Sequence, residues 1–511
     1  MTDVAAATLD QVDALFRARV ERGIAPSSVW GVFDQDGLIA SGGHGDRGDG
    51  TAPDSDTVYR IASCTKSITA ATLLTLVADG RVSLDAAVTD FVPAFGAVTL
   101  PTADSPVPTL RMLLTMSAGF PTDDPWGDRQ ESITDDQLDD VLRGGLLFDS
   151  VPGTTFAYSN LGYALLGRAV QVVAGRPFTD VVRDTLLGPL GLDDTVFAAA
   201  DARGDVVTGA RGHEGTWEPL PLSDPGAFSP IGGLFSTVSD LSRWARHLSS
   251  AFASVRDRSG TAEPGPVSPA DRRLMQQAMR VITTPAVPAA RRPVGYGLGL
   301  FVEQDDVVGP IVSHSGGYPG FSAHMRWSTR TGLGVVAFEN ATQAKVSVVT
   351  ETAHDLLLGL DRPDAPGTAL SRPTGPAPAR AAGTAPVRPA GTATVTVLPE
   401  TRAAQAAVSR LLAEWTTAGD PAAVAADLCT PNVPMDVPWD RRRAAAAQAI
   451  AQVGADLGAA PVAESSSVPT HLRWWLPGSS GRLRVEIRLA PLAAGLVQTL
   501  TVAAEPAERE A

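Results

Sequence analysis

Lysine is almost missing from this chain: of 511 residues only Lys66 and Lys345 are lysine, so nearly all of the 41 basic side chains are arginine. Cysteine is equally scarce, with Cys64 and Cys429 far apart. That excludes a disulfide scaffold and a C-x-x-C metal motif, and it permits a reducing compartment. Positive charge is short overall, 56 acidic against 41 basic residues giving −15. A protein that tracks a phosphate backbone needs a basic face, so nucleic acid is not an expected partner. No run of about 18 apolar residues occurs, so no membrane span is expected. The start, Met1-Thr2-Asp3-Val4 followed by Ala-rich sequence and Asp10, Asp13, Arg17 and Arg19, lacks the basic start and apolar core of a signal peptide. Cytoplasm is the expected location. A charged fraction of 19 % beside 44 % hydrophobic residues argues against a largely disordered or coiled-coil chain. The length exceeds one ordinary domain.

What is present divides into segments. Leu9, Val12, Leu15, Phe16 and Val20 recur at helical spacing. Ser28 to Phe33 and Leu38 to Ser41 read as strands joined by Asp34-Gln35-Asp36-Gly37, a hairpin signal. A helix of three or four turns is expected after Arg60, ending near Asp79-Gly80. Further helices are expected over 163–174 and 238–248, the latter capped by Thr237 or Ser239. Strands are expected over 296–302, 309–314, 323–328 and 332–338. Together these predict an α+β fold, an antiparallel sheet built from the first hairpin and the last strands and flanked by helices. Residues 363–397 are rich in Pro, Ala and Gly and read as a linker between residues 1–362 and 398–511. In the final segment Ala404, Ala407, Val408, Leu411, Leu412 and Trp415 mark one helix and 441–450 a second, while 471–476, 482–489 and 496–502 are extended. Leu483, Val485, Ile487 and Leu489 alternate with charged residues, a half-buried strand. This predicts a small α+β domain, loosely similar in outline to nuclear-transport-factor-like domains.

Chemistry concentrates in Ile61-Ala62-Ser63-Cys64-Thr65-Lys66-Ser67, where an extended segment turns into a helix. At spacing i, i+3, Ser63 and Lys66 share a helix face one turn apart. A lysine desolvated there can take the serine proton, and the helix start offers the Ser63 N–H to an oxyanion. S-x-x-K alone is a weak pattern. With two lysines in 511 residues and some tens of serines, however, on the order of 0.1 chance matches are expected. Tyr158 and Asn160 stand two apart just before a helix; a phenol near a lysine can be driven toward phenolate and shuttle protons, and an Asn amide can bind a substrate carbonyl. His314-Ser315-Gly316-Gly317 follows an apolar run, at the expected end of a strand. Its glycines permit close approach of a substrate backbone, and the next N–H can complete an oxyanion hole.

In this order, S-x-x-K, Y-x-N and H-x-G resemble the serine beta-lactamase and penicillin-binding-protein superfamily. Thr109-Leu110-Arg111-Met112-Leu113-Leu114-Thr115-Met116-Ser117-Ala118-Gly119-Phe120, Gly232-Gly233-Leu234-Phe235-Ser236-Thr237 with Asp240-Leu241, and Tyr296-Gly297-Leu298-Gly299 are similar to its class C and D-aminopeptidase/esterase branch, the CubicO-type peptidases, over roughly residues 8 to 360. The resemblance implies an all-helical subdomain beside the sheet. It also implies that Ser63 attacks a carbonyl, Lys66 and Tyr158 share the proton work, Asn160, His314, Gly316 and Gly317 bind substrate, and the N–H groups of Ser63 and Gly317 hold the oxyanion. Which of Lys66 and Tyr158 is the kinetic base stays open. Where beta-lactamases of this kind carry Lys, this chain has His314, mostly neutral at pH 7, which weakens the grip on a drug carboxylate.

The expected function is a cofactor-free and metal-free serine hydrolase acting on a small ester, amide or peptide, an esterase or D-amino-acid-type peptidase. The alternatives are a beta-lactamase and a penicillin-sensor or scaffold protein. The run Pro121 to Arg129, with Asp123, Asp124, Asp128, Arg129 and Trp126, reads as a salt-bridged loop lining the cleft rather than a metal site. His44, His213, His247, His324, His354 and His471 form no ligand pair. Cys64 reads as a small buried residue, and Trp474 and Trp475 must face opposite sides of their strand. The C-terminal domain is expected to pack on the catalytic cleft or on a second subunit of a homo-oligomer.

Overall fold

Ser27–Phe33 is apolar on both of its faces and is buried throughout, which places it in the interior of a sheet covered on both sides. The computed structural model describes residues 4–252, 265–283, 292–342, 344–360, 395–416, 422 and 425–507. Its main strands are β1 (Ser27–Phe33), β2 (Leu38–Gly45), β3 (Tyr59–Arg60), β4 (Ala210–His213), β5 (Thr216–Pro219), β6 (Phe235–Ser236), β7 (Arg280–Thr283), β8 (Val294–Tyr296), β9 (Phe301–Asp305), β10 (Gly309–Tyr318), β11 (Phe321–Ser328) and β12 (Gly334–Glu339). Eight of them form one antiparallel sheet in the order β2-β1-β12-β11-β10-β9-β8-β7. The first hairpin thus pairs with the last strand of the region, Val29 opposite Phe338 and Gly31 opposite Val336.

Alternation sorts the two faces. Trp30, Val32, Val335 and Ala337 pack with Val12 and Phe16 of helix Ala6–Glu21 and Val346 and Val349 of helix Val346–Leu357. Val29, Phe33, Val336 and Phe338 face the larger core, with helix Val238–Ser249 against them. Thr237 caps that helix, its side chain accepting the Asp240 N–H at 3.1 Å. A second, helical layer contains Thr65–Ala78, Leu110–Leu114, Asp135–Arg143 and Asn160–Ala174. Helix Thr65–Ala78 lies at the centre with nearly all its side chains buried, each large apolar one contributing about 1.5–3 kcal/mol.

Two details correct the sequence reading. The single strand expected over 296–302 is a hairpin, because Gly297 and Gly299 break it. Gly299 has φ +75°, and a Cβ there would lie 2.7 Å from the Lys66 carbonyl oxygen, so the turn is folded tightly onto the start of helix Thr65–Ala78. His314-Ser315-Gly316-Gly317 does not end its strand; β10 continues to Tyr318, paired with β11 along the way.

Residues expected as linker lie, up to 394, outside the described residues. From 395 onward the chain builds its own layer pair. Helices Pro399–Trp415 and Trp439–Val453 cover the sheet β13 (Ala463–Ser465), β14 (His471–Gly478), β15 (Gly481–Leu489) and β16 (Val497–Pro506), in that order. Leu483, Val485, Ile487 and Leu489 are fully buried in its core with Trp474. Trp475 points the other way, its Nε1 donating to Glu505 and its ring flanked by Arg473 and Arg482. This unit rests on the first: Leu147 enters the C-terminal core, Ala490 enters the main one, and the Leu147 N–H donates to Pro491 O at 2.9 Å.

Candidate active site

Ser63 stands at a corner. β3 pairs with β6, the Ile61 N–H donates to Leu234 O at 3.0 Å, and Ala62 takes a left-handed φ of +46° before the short 3-10 turn Ala62–Cys64 leads into helix Thr65–Ala78. β10 runs tightly behind: a Cβ on Gly316 would sit 2.1 Å from Ile61 O, so only glycine lets the strand pass. The Cys64 thiol donates to His314 O at 3.3 Å, and burial pushes that thiol up, away from thiolate.

One turn on, Lys66 is fully buried, and its Nζ donates to Ser63 Oγ at 2.9 Å and to Ile231 O at 2.8 Å. It also lies 4.9 Å from the Tyr158 ring centre. Burial pushes Lys66 down to about 8, against the opposing pull of Asp124, Asp128 and Asp123. Tyr158 therefore stands beside the Lys66–Ser63 pair, its ring facing the ammonium that holds the serine oxygen. Burial, reinforced by the charges of Asp124 and Asp128, holds Tyr158 well above the usual phenol range. In the resting site the phenol therefore keeps its proton.

Asn160 is the first residue of helix Asn160–Ala174, capped by Ser159, whose Oγ accepts the Gly162 N–H at 3.1 Å. Asp123 reinforces the cap, accepting the N–H groups of Asn160 (2.6 Å) and Leu161 (2.9 Å) and the Ser159 hydroxyl. Asn160 Nδ2 reaches both Asp124 Oδ1 and Asp128 Oδ1 at 3.3 Å. Gly127 backs onto the Asn160 side chain, 2.6 Å from where a Cβ would stand. Asn160 Oδ1 and Asp124 Oδ2 are buried without a hydrogen-bond partner among the described residues. Burial raises all three carboxyls, Asp123 to about 6, Asp128 to about 7 and Asp124 well above its ordinary value. The loop lines the site as expected, but it is not internally salt-bridged: Arg129 turns away to Asp436 at 2.7 Å. Beneath it, buried Arg60 pairs with Glu131, donates to Gly232 O at 3.1 Å and lies 3.7 Å from the Tyr318 ring centre, tying β3 to the end of this loop.

His314 is buried beneath Tyr158, Tyr296 and Phe301. Its Nδ1 lies 2.7 Å from Ser315 O, which can only accept, so Nδ1 carries the hydrogen and Nε2 is left to accept the Tyr296 hydroxyl at 3.1 Å. Burial and the nearby Lys66 charge push His314 down to about 3, so it is neutral. Gly316 and Gly317 lie opposite Ala323 and Ser322 in the sheet. Among the described residues, no group of three or more His, Cys, Asp or Glu could hold a metal ion.

A model of the family described as Beta-lactamase matches residues 12–360. The chain belongs to the beta-lactamase family. Penicillin-binding protein 4 of Amycolatopsis lactamdurans is 31% identical over 320 residues, covering 61% of this chain and 79% of that protein. Among solved structures, the octameric penicillin-binding protein homologue from Pyrococcus abyssi is similar at 25% identity and a TM-score of 0.57, over 69% of this chain and 77% of that one. A D-stereospecific amidohydrolase from Streptomyces sp. is similar at 25% identity and a TM-score of 0.55, over 68% of this chain and 98% of that one. As a beta-lactamase-family member with this sheet and helical layer, the protein is a hydrolase of the beta-lactamase fold. Within the family's span, sequence reading missed how Tyr296 engages His314 and how Asp124 and Asp128 hold Asn160. The signal for the latter was the i, i+4 spacing of the two carboxyls around Trp126-Gly127.

Proposed function

We propose that the chain is a serine hydrolase that cleaves small esters or amides through an acyl-enzyme on Ser63. The observation that carries this is the contact on Ser63 Oγ from a fully buried Lys66 at 2.9 Å, with the Tyr158 ring 4.9 Å from the same ammonium. Lys66 is the base. With its value lowered to about 8, roughly a tenth is neutral at pH 7, while Tyr158 is held protonated. Neutral Lys66 takes the hydroxyl proton as Oγ attacks the carbonyl carbon. The N–H groups of Ser63 and Gly317 steady the oxyanion, and Asn160 orients the acyl group. The proton passes from Lys66 or through Tyr158 to the leaving oxygen or nitrogen as its bond to carbon breaks. Water, deprotonated by the same pair, then releases the acid and restores Ser63.

The charges around the site favour an ester or amide that carries an ammonium, as a D-amino-acid-type substrate does, over a beta-lactam. Three desolvated carboxyls share Lys66 as their largest opposite charge, and a substrate ammonium would add to it. A drug carboxylate would meet those carboxyls and a neutral His314 instead of a fixed cation. The relative named as a D-stereospecific amidohydrolase supports the same reading. The test is a parallel screen of nitrophenyl acyl esters, D- and L-amino-acid nitroanilides and a chromogenic cephalosporin, with Ser63→Ala as control. Turnover of esters or D-aminoacyl substrates that falls about 10³-fold or more in Ser63→Ala is expected. Preferred turnover of the cephalosporin would move the beta-lactamase reading ahead.

A further inference from the structure

Gln498, on β16 and 2 % exposed, reaches out of the C-terminal unit into the turn that carries the carboxyls. Its Nε2 donates to Thr122 O and to Leu489 O, both at 2.8 Å, and its Oε1 accepts the Trp126 N–H at 3.2 Å. Both amide hydrogens and the acceptor are therefore used, and the two peptide groups it grips bracket Asp123 and Asp124. Arg129, just beyond Asp128, is held by Asp436 of the same unit. The unit is also anchored away from the turn. Thr470 donates through N–H and Oγ1 to Asp149 at 2.9 and 2.8 Å and the Leu147 N–H donates to Pro491 O at 2.9 Å, while the partly exposed Arg441–Glu218 pair at the edge adds little to that hold. The position of Gln498 is thus set by contacts away from the turn it holds.

We propose that the C-terminal unit is a built-in brace for the active site, with Gln498 its central positioning residue, fixing the Thr122–Trp126 turn so that Asp123, Asp124 and Asp128 stand correctly against Asn160 and Lys66. Buried amide contacts of this kind are costly to leave half-made, so they specify one geometry where apolar packing would tolerate several. The electrostatic consequence follows from what faces Lys66: Asp123, Asp124 and Asp128 from the braced turn, Cys64 and Ser63 from its own corner, Tyr158 and Tyr163 from the Asn160 region, and His314 from β10. The three aspartates rank ahead of Cys64 among the groups that oppose the downward effect of burial, so loosening the turn lowers the Lys66 value and misplaces Asn160.

The activity readout rests on Ser63 and Lys66 being the catalytic pair, so the experiment carries a second readout that does not. Full-length Gln498→Met, which keeps volume but removes the polar grip, is compared with wild type and with Arg441→Ala, an interface variant remote from the turn. Kinetic constants against pH, thermal midpoint and amide hydrogen exchange over residues 121–130 are measured. For Gln498→Met the expected result is a loss of about tenfold in kcat/KM, an acid limb moved to lower pH and faster exchange at 121–130, with Arg441→Ala within about twofold of wild type. An unchanged pH profile and unchanged exchange in Gln498→Met overturn the brace, as does an equal effect from Arg441→Ala. If Gln498→Met does not fold, Asp436→Asn is read the same way: faster exchange over 121–130 supports the brace and unchanged exchange overturns it. If wild type hydrolyses no substrate and Ser63 resists labelling, the catalytic reading fails, and the exchange rates alone decide the brace.

Discussion

Asp123 accepts the backbone N–H of Asn160 at 2.6 Å, so the helix that presents Asn160 is fixed at its first residue by a carboxyl from a different segment. The same carboxyl takes the next N–H, of Leu161, at 2.9 Å. Replacing Asp123 with Ala orphans three buried donors, these two N–H groups and the Ser159 hydroxyl. We expect Asp123→Ala to lose about 1–3 kcal/mol of stability and at least about tenfold in kcat/KM. Thermal melts and ester kinetics check this; a variant matching wild type in both contradicts the role.

The rate should rise with pH as Lys66 loses its proton. With Lys66 lowered to about 8, kcat/KM should climb through neutral pH and level off above about 8. Because the Asp128 charge raises the Lys66 value, Asp128→Asn should shift that limb to lower pH. A pH–rate profile measures both, and a shift to higher pH reverses the sign required here.

His314 is neutral in the fold, and its titration is displaced far below the ordinary histidine range. His314→Gln should therefore leave the shape of the profile between about pH 5.5 and 7.5 unchanged, whatever it does to the absolute rate. An inflection near about pH 6.5 in wild type that disappears in the variant contradicts this assignment.

Gly316 has no room for a side chain, since a Cβ would lie 2.1 Å from Ile61 O. Gly316→Ala must push β10 away from the Ser63 corner. A loss of about 100-fold or more in kcat/KM is expected, with a lowered melting temperature. Wild-type kinetics in that variant would mean that the corner is softer than its contacts require.

Much of this site was legible in the sequence because its chemistry is local. Ser63 and Lys66 declare themselves by i, i+3 spacing against a background almost free of lysine, and the alternation of Leu483 to Leu489 gives the buried face of β15 directly. The eight-stranded sheet was legible in outline because the first hairpin and the last strands share apolar patterning. What escaped depends on contacts between distant residues. Arg129 belongs to Asp436, 307 positions away, so the Asp123–Arg129 run looked self-paired when it is not. Gln498 and Trp126, 372 positions apart, carry no pattern that links them. The break at Gly297-Leu298-Gly299-Leu300 was hidden because an apolar run scores as strand until one knows that the Lys66 carbonyl lies in its path.

The most direct measurement is covalent. The full-length protein is incubated with a fluorophosphonate probe and, separately, quenched in acid during turnover of a nitrophenyl acyl ester, and modified peptides are mapped by mass spectrometry. We predict a single adduct on Ser63 in each case, its formation slowed at least about 10³-fold in Lys66→Ala and absent in Ser63→Ala. An adduct that persists in Ser63→Ala, or a Ser63 that stays unmodified while the ester is hydrolysed, would contradict the account.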